Sequence, residues 1–191
     1  MLTKISILFL TYICLCSIGV PDNIQLTNIC RQTLQEHFTG KTDTIEKSVY
    51  DQIKSRPIFV TLKKNNQTRG CAGTLQPSFS CLREELEYFT INAATKDFRY
   101  PPIREDELKN ITIIVTLPKK LKAVESIRYY NPWKHGLLVR KDGKEGVILP
   151  CEGKTSSYSI KKAVSQSRIG DIKGADIYIF DCETIVEQKN R

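Results

Sequence analysis

The sequence contains few residues of the kinds that hold metal ions or redox centres. Its 191 residues include two histidines, one tryptophan and seven cysteines, with no Cys-x-x-Cys pair among them. A zinc ribbon or a thioredoxin-like pair depends on that spacing, so neither is supported and no metal site is predicted. The chain also lacks P-loop, Gly-x-Gly-x-x-Gly, Gly-x-Ser-x-Gly and His-Glu-x-x-His motifs. These absences argue against P-loop NTPases, Rossmann dehydrogenases, α/β-hydrolases and zincins.

Positive charge is spread along the chain and is not concentrated in one block. The formal net charge is +8, and basic residues occur singly or in short pairs such as Lys63-Lys64. No zinc-finger, homeodomain or RRM signature accompanies them, so the charge predicts a solvated basic surface and no nucleic-acid-binding module. The hydrophobic share of 40% is adequate for a folded core.

The first nineteen residues have the pattern of a secretory signal peptide. Lys4 precedes an apolar run over residues 5–16, and Ser17 and Gly19 are small residues at the −3 and −1 positions of a cleavage site. A membrane-spanning helix needs about 18 or more apolar residues, and this run is shorter. We predict that residues 1–19 are removed and that the protein is exported or secreted. Retention as an uncleaved membrane anchor is the alternative, and lipid attachment at a leader cysteine is disfavoured.

Periodicity over the remainder predicts one domain over residues 22–187, of the α+β class, with a mainly antiparallel sheet and flanking helices. Predicted helices span about 22–38, 80–96 (capped by Ser80) and 157–167, with a shorter helix behind Thr42 or Asp43 and one turn at 105–108. Predicted strands span 57–63 and 68–75 as a hairpin, 111–117, 137–140 and 146–149 as a second hairpin, and 176–182. Gly70 and Gly73 interrupt the first hairpin, which indicates a bulge or a close backbone approach.

Three blocks of sequence carry a resemblance to a known family. They are Phe59-Val-Thr-Leu62 with Arg69-Gly-Cys-Ala-Gly-Thr74, then Asp97-Phe-Arg-Tyr-Pro-Pro102, then Asn131-Pro-Trp-Lys-His-Gly136 with Gly146-Val-Ile-Leu-Pro150. In this order and spacing they resemble the AMMECR-type domain family over about residues 24–185. The resemblance implies a single two-lobed α+β domain with a cleft between the lobes. It supplies no firm reaction.

Cys71 is the sharpest candidate for chemistry. It lies between two glycines and two residues after Arg69, and strand alternation places residues 69 and 71 on the same face. A nearby cation favours the thiolate, which is the reactive form of cysteine, so Cys71 is a candidate nucleophile or redox thiol. The alternative is a small buried cysteine in a tightly packed hairpin, whose glycines avoid a clash.

The remaining candidates are polar residues at loops and strand ends. Arg99 is suited to clamping a carboxylate or phosphate, with Asp97 orienting it or acting as a base, and a loop-bracing salt bridge is the alternative. His135 is a candidate general acid or base, or simply a hydrogen-bonded loop histidine. Glu152 completes a polar cluster or is an exposed turn residue, and Cys151 is a candidate disulfide partner or resolving thiol for Cys71.

The sequence therefore predicts a cleft that binds or modifies a small polar or anionic ligand, with no cofactor identified. The candidate catalytic residues are Cys71 and His135, and the candidate ligand-binding residues are Arg69, Gly70, Gly73, Thr74, Asp97, Arg99 and Glu152. One alternative is a non-catalytic binding or scaffold module for a protein partner, in which the cysteine motif holds the lobes together. Another is a secreted protein stabilised by disulfides.

Overall fold

The computed structural model describes residues 24–40 and 49–188. It contains two four-stranded antiparallel sheets, the first with two helices against one face and the second with one helix. The helices are α1 (Ile24–Thr39), α2 (Leu82–Thr95) and α3 (Ser156–Ser167). The strands are β1 (Ile58–Lys64), β2 (Gln67–Thr74), β3 (Ile111–Pro118), β4 (Lys122–Ala123), β5 (Gly136–Lys141), β6 (Lys144–Ile148), β7 (Asp176–Phe180) and β8 (Cys182–Val186). Short 3-10 turns span Val49–Asp51, Glu105–Asn110 and Ile127–Tyr129. The predicted α+β class and antiparallel pairing are confirmed.

The first lobe consists of α1, α2 and the sheet with strand order β2-β1-β3-β8. Alternate residues of a strand face opposite sides of its sheet. Ile58, Val60 and Leu62 of β1 accordingly enter a core with the buried faces of α1 and α2. Phe59 and Thr61, between them in sequence, face the other side. One face of this sheet is therefore covered by helices, and the other is turned towards the rest of the chain.

The second lobe consists of α3 and the sheet with strand order β4-β7-β5-β6. Leu137, Val139 and Ile148 pack with Ala163 of α3 in its core. A third apolar cluster joins the two lobes, and its buried members are Phe59, Leu138, Leu149 and Phe180. The predicted two-lobed arrangement is thus held by packing between the lobes as well as by the chain connections.

The chain crosses between the two sheets at two adjacent points. Between β3 and β4 it leaves the first sheet, and at Asp181, between β7 and β8, it returns. Pro118 and Cys182 are register partners, and the Lys119 amide donates a hydrogen bond of 2.8 Å to the Asp181 carbonyl. The predicted single strand over 176–182 is therefore wrong, because Asp181 separates two strands that belong to different sheets.

The predicted start of α2 is wrong, and two other predictions lie wholly or mostly outside the described residues. The predicted cap at Ser80 is wrong, because the residue that precedes α2 is Cys81 and the Ser80 hydroxyl donates to the Glu84 carboxylate. Residues 1–19 lie outside the described residues, as does most of the helix predicted behind Thr42 or Asp43. Within residues 24–40 and 49–188, every helix is too short or too polar to span a bilayer.

Candidate functional site

A cavity of about 430 Å³ lies between the two lobes, and we call it the interlobe cleft. The first lobe contributes side chains from β1, β2, α2 and the loop that follows α2. The second lobe contributes β6, α3 and the turn after β6. The lining residues that matter for chemistry are Cys71, Lys96, Asp97, Arg99, Glu145 and Glu152. Volumes of this size are typical of sites for small ligands.

Cys71 lines the cleft from β2 with its side chain turned towards the second lobe. The Thr61 hydroxyl, directly opposite on β1, donates a hydrogen bond of 3.3 Å to the Cys71 sulfur. The thiol also packs against the apolar cluster that joins the lobes. Burial raises the pKa of Cys71 to about 11, because a thiolate loses solvation there. Cys71 is therefore a neutral thiol at pH 7.

We expect alkylation of the cysteines to distinguish this thiol from an activated one. At pH 7 an electrophile such as iodoacetamide should modify the exposed Cys151 first, and the rate at Cys71 should still be rising at pH 9. Peptide mass spectrometry across a pH series measures both rates. A Cys71 rate that reaches its plateau below pH 8 would contradict the assignment of a neutral, half-buried thiol.

Arg69 does not face Cys71. The register of β1 and β2 shifts between Leu62 and Lys63, which leaves Arg69 as the extra residue of a β-bulge. The bulge turns its side chain to the helix-covered side of the sheet, where it contacts Glu107 at 3.0 Å and the carbonyls of Pro101 and Pro102. The predicted pairing of Arg69 with the thiol is wrong because simple alternation fails across a bulge.

Asp97 and Arg99 form a rigid pair at the cleft. Asp97 accepts hydrogen bonds from the Cys71 amide (2.8 Å), and from Nε (2.8 Å) and Nη2 (2.7 Å) of Arg99. Burial alone would raise the pKa of Asp97, but these hydrogen bonds outweigh burial and hold it below its usual value. The same contacts raise the pKa of Arg99 above its usual value. Asp97 therefore orients Arg99, as one prediction had it, and its occupied carboxylate does not fit a base.

One nitrogen of Arg99 is available to a ligand. Within the described parts of the chain, Nη1 of Arg99 makes no hydrogen bond, whereas Nε and Nη2 are both held by Asp97. Glu152 lies on the second-lobe side of the same cleft and accepts a hydrogen bond of 3.1 Å from the Leu149 amide. Its other close contact is Lys162, at 3.9 Å. The structure thus brings four of the predicted site residues, Cys71, Asp97, Arg99 and Glu152, to the lining of one cavity.

Other predicted residues have structural contacts elsewhere. His135 does not line the interlobe cleft: its Nδ1 accepts from the Asn131 amide, and its Nε2 lies 3.9 Å from Asp181. The Thr74 hydroxyl is bonded within its own turn to the backbone of Gln76, outside the cleft. Gly70 faces α2 and not a ligand, whereas Gly73 does line the cleft, beside Phe59. None of these contacts assigns His135 or Thr74 a part in chemistry.

The cysteines within the described residues are all unpaired. They are Cys30, Cys71, Cys81, Cys151 and Cys182. Cys151 is exposed, and its sulfur contacts the Trp133 carbonyl at 3.4 Å. The alternative of a disulfide-stabilised protein, including a pair between Cys71 and Cys151, is therefore not supported. No group of three or more His, Cys, Asp or Glu side chains within residues 24–40 and 49–188 is arranged to hold a metal ion.

Sequence reasoning missed several polar residues of the cleft. Asn92 lines it from α2, Lys96 from the position that directly follows α2, and Gln166 from α3. The spacing of Asn92 and Lys96 is one helical turn, which places them on the same helix face. That spacing was a usable signal, but nothing in the sequence indicates that this face of α2 lies opposite α3.

Comparisons with known proteins agree with this architecture. A profile of the AMMECR1 family matches residues 27–184. A protein of Methanosarcina mazei is 33% identical over 147 residues, covering 70% of this chain and 73% of the relative. A protein of Methanopyrus kandleri is 30% identical over 182 residues, covering 86% and 87%. The crystal structure of an uncharacterized protein from Pyrococcus horikoshii has the same fold, with a TM-score of 0.73, 22% identity and coverage of 88% and 97%. The chain belongs to the AMMECR1 family.

Proposed function

We propose that the interlobe cleft binds a small polar ligand non-covalently, with Arg99 as the principal contact. The observation that carries the proposal is the fixed guanidinium, which Asp97 holds through two nitrogens while Nη1 remains available. A pre-oriented arginine loses little conformational freedom on binding and suits a carboxylate or phosphate oxygen. Cys71 then serves as a neutral side chain of the cleft and not as a nucleophile.

The charges around the cleft limit the kind of ligand. Asp97 neutralises Arg99, and Glu145 is paired with Arg140 at 2.7 Å. Glu152 retains acceptor capacity, because its closest cation is 3.9 Å away. A ligand that complements both Arg99 and Glu152 carries an acidic group together with a hydrogen-bond donor, as amino acids do. Apolar side chains such as Phe59 and Val147 would contact its non-polar part.

A binding experiment with matched variants tests the proposal. We expect at least one member of a panel of free amino acids, dicarboxylic acids and inorganic phosphate to bind in isothermal titration calorimetry. Arg99→Ala should weaken that binding about tenfold or more, because a hydrogen bond to a charged group is lost. Arg104→Ala is the matched control, since the Arg104 side chain is exposed and, among the described residues, its one ion-pair partner is its neighbour Asp106. Equal loss in the two variants, or no binding by the panel, would refute the assignment.

The second candidate function is a non-catalytic scaffold for a protein partner, in which the cysteine motif serves packing. It is favoured by Arg69, which braces the loop after α2, and by Cys71, which packs against the cluster between the lobes. On this alternative, Cys71→Ser lowers thermal stability and changes no binding of small ligands. On the ligand-binding proposal, Arg99→Ala weakens the binding of small ligands in protein that is still folded at the assay temperature, although loss of the partner of the buried Asp97 carboxylate also lowers the melting temperature.

We also propose that the protein is exported, on the strength of the leader pattern in residues 1–19. Expression in a secreting host should release a protein whose amino terminus is Val20. Amino-terminal sequencing of the released protein measures this. Recovery of the whole chain in the membrane fraction would instead support the uncleaved anchor.

A further inference from the structure

A second cavity, of about 600 Å³, is lined by Thr61, whose hydroxyl contacts the Cys71 sulfur of the interlobe cleft. Its floor is the face of the first sheet that the helices leave uncovered. Thr61 on β1, Thr116 on β3 and Thr184 on β8 all line it. Thr116 is the register partner of both Phe59 and Thr184, which places these side chains on one face of the sheet. We call this cavity the threonine groove.

The charge of the threonine groove differs from that of the interlobe cleft. Lys63, Lys134 and Lys162 line it, and Glu152 is its one carboxylate. Within residues 24–40 and 49–188, neither Lys63 nor Lys134 forms an ion pair, and Lys162 approaches Glu152 only to 3.9 Å. A groove with unpaired ammonium groups and a row of hydroxyls is suited to an anionic ligand with several oxygen atoms.

The exposed indole ring of Trp133 lines the same groove. Trp133 is the only tryptophan of the chain and is 62% exposed. Its backbone is fixed, because its amide donates 3.0 Å to the Asn131 side chain and its carbonyl contacts the Cys151 sulfur. A large aromatic side chain left in solvent beside a polar cavity offers a surface on which a flat ring can stack.

From this juxtaposition we propose that the threonine groove binds a mononucleotide. The phosphate would contact Lys63 and Lys134, the base would stack on Trp133, and the sugar hydroxyls would face the threonine side chains. Lysine for phosphate and an aromatic face for a base are recurring partners in proteins. The volume lies within the range of small-molecule sites. The two cavities share Leu149 and Glu152 in their linings, but the inference rests on Lys63, Lys134 and Trp133, and neither Arg99 nor Asp97 lines this groove.

Intrinsic fluorescence provides a direct test, because all tryptophan emission comes from Trp133. Titration of the full domain with adenosine 5′-monophosphate should change that emission saturably, and calorimetry should give the same dissociation constant. Ribose 5-phosphate lacks the base and adenosine lacks the phosphate, so each should bind more weakly than the mononucleotide. The double variant Lys63→Ala, Lys134→Ala should bind the mononucleotide about tenfold more weakly.

A charge-matched control variant distinguishes binding at the threonine groove from non-specific electrostatic attraction of an anion to a basic protein. The double variant Lys120→Ala, Lys173→Ala has the same net charge as the test variant, but neither lysine lines the threonine groove. It should bind like the unaltered protein. Equal weakening in the two double variants, or adenosine monophosphate binding no better than ribose 5-phosphate, would overturn the proposal. Binding that persists unchanged in Trp133→Ala, measured by calorimetry, would also overturn it.

Discussion

Gly70→Ala is expected to destabilise the protein by several kcal/mol or to prevent its folding. A Cβ atom added at Gly70 would lie 2.0 Å from the Ala93 carbonyl oxygen and 3.0 Å from its carbon, both in the backbone of α2. Backbone atoms of a packed helix cannot rotate away as a side chain can, so α2 would have to separate from β2. Overpacking of this kind commonly costs about 1–3 kcal/mol, and more where backbone must move.

The matched control is Gly170→Ala, since nothing lies within 4 Å of a Cβ added there. Urea unfolding followed by circular dichroism measures both variants. We expect Gly170→Ala to unfold within about 0.5 kcal/mol of the unaltered protein, as surface substitutions usually do. A Gly70→Ala protein that unfolds at the same urea concentration would show that α2 does not rest on β2 as closely as described.

Glu107→Gln is expected to remove about 2–3 kcal/mol of stability at neutral pH, as linkage between protonation and folding implies. Glu107 is 4% exposed and accepts hydrogen bonds from Arg69, Lys64 at 2.8 Å and the Arg104 amide. The bonds from Arg69 and Lys64 are the main causes that lower the pKa of Glu107 to about 2, from 4.5 in a free side chain. Glutamine leaves Arg69 and the half-buried Lys64 without a charged partner, and the cost is larger for Arg69 because it is less exposed.

The contribution of Glu107 to the free energy of unfolding should depend on pH in a defined direction. Because the folded-state pKa of Glu107 is depressed, its contribution is fully present above pH 4.5 and is lost as the pH falls towards 2. The difference in stability between the unaltered protein and Glu107→Gln should therefore shrink across that interval. Asp106→Asn is the control, because Asp106 is an exposed neighbour paired with Arg104. A difference that stays constant between pH 5 and pH 2 would contradict the assigned role of Glu107.

Local patterns in the sequence predict much of the first lobe. The three- and four-residue spacing of Leu26, Ile29, Cys30 and Leu34 predicts α1, and all four are buried. Asn65 and Asn66 predict the turn between β1 and β2, and both have positive φ, as a tight hairpin turn requires. The amphipathic helix and the tight turn are both determined by residues close together in sequence, so a local sequence pattern is enough to predict them.

Features that depend on distant parts of the chain were not predictable. β8 contains the polar residues Glu183 and Thr184, so its sequence does not have the apolar pattern that predicts a buried strand. It is a strand because it pairs with β3. The direction of the Arg69 side chain depends on a β-bulge. Gly70 and Gly73 indicate a bulge in this hairpin but do not indicate the residue at which it occurs. The threonine groove exists only because β8 places Thr184 beside Thr116. Cys71 lines the cleft, but the burial that raises its pKa depends on packing against the cluster between the lobes, which is distant in sequence.

The two adjacent crossings make the second lobe a single uninterrupted insertion. It runs from residue 119 to residue 181, and the residues that flank it, Pro118 and Cys182, lie side by side as strand partners. Joining those two residues by a short turn would leave β3 and β8 as an ordinary hairpin in a complete four-stranded sheet. Trp133 and Lys134 of the groove and Val147 and Glu152 of the cleft all lie in the insertion. Exchange of this one segment between relatives would therefore replace the second-lobe lining of both proposed binding sites in a single step, while the first lobe stays constant.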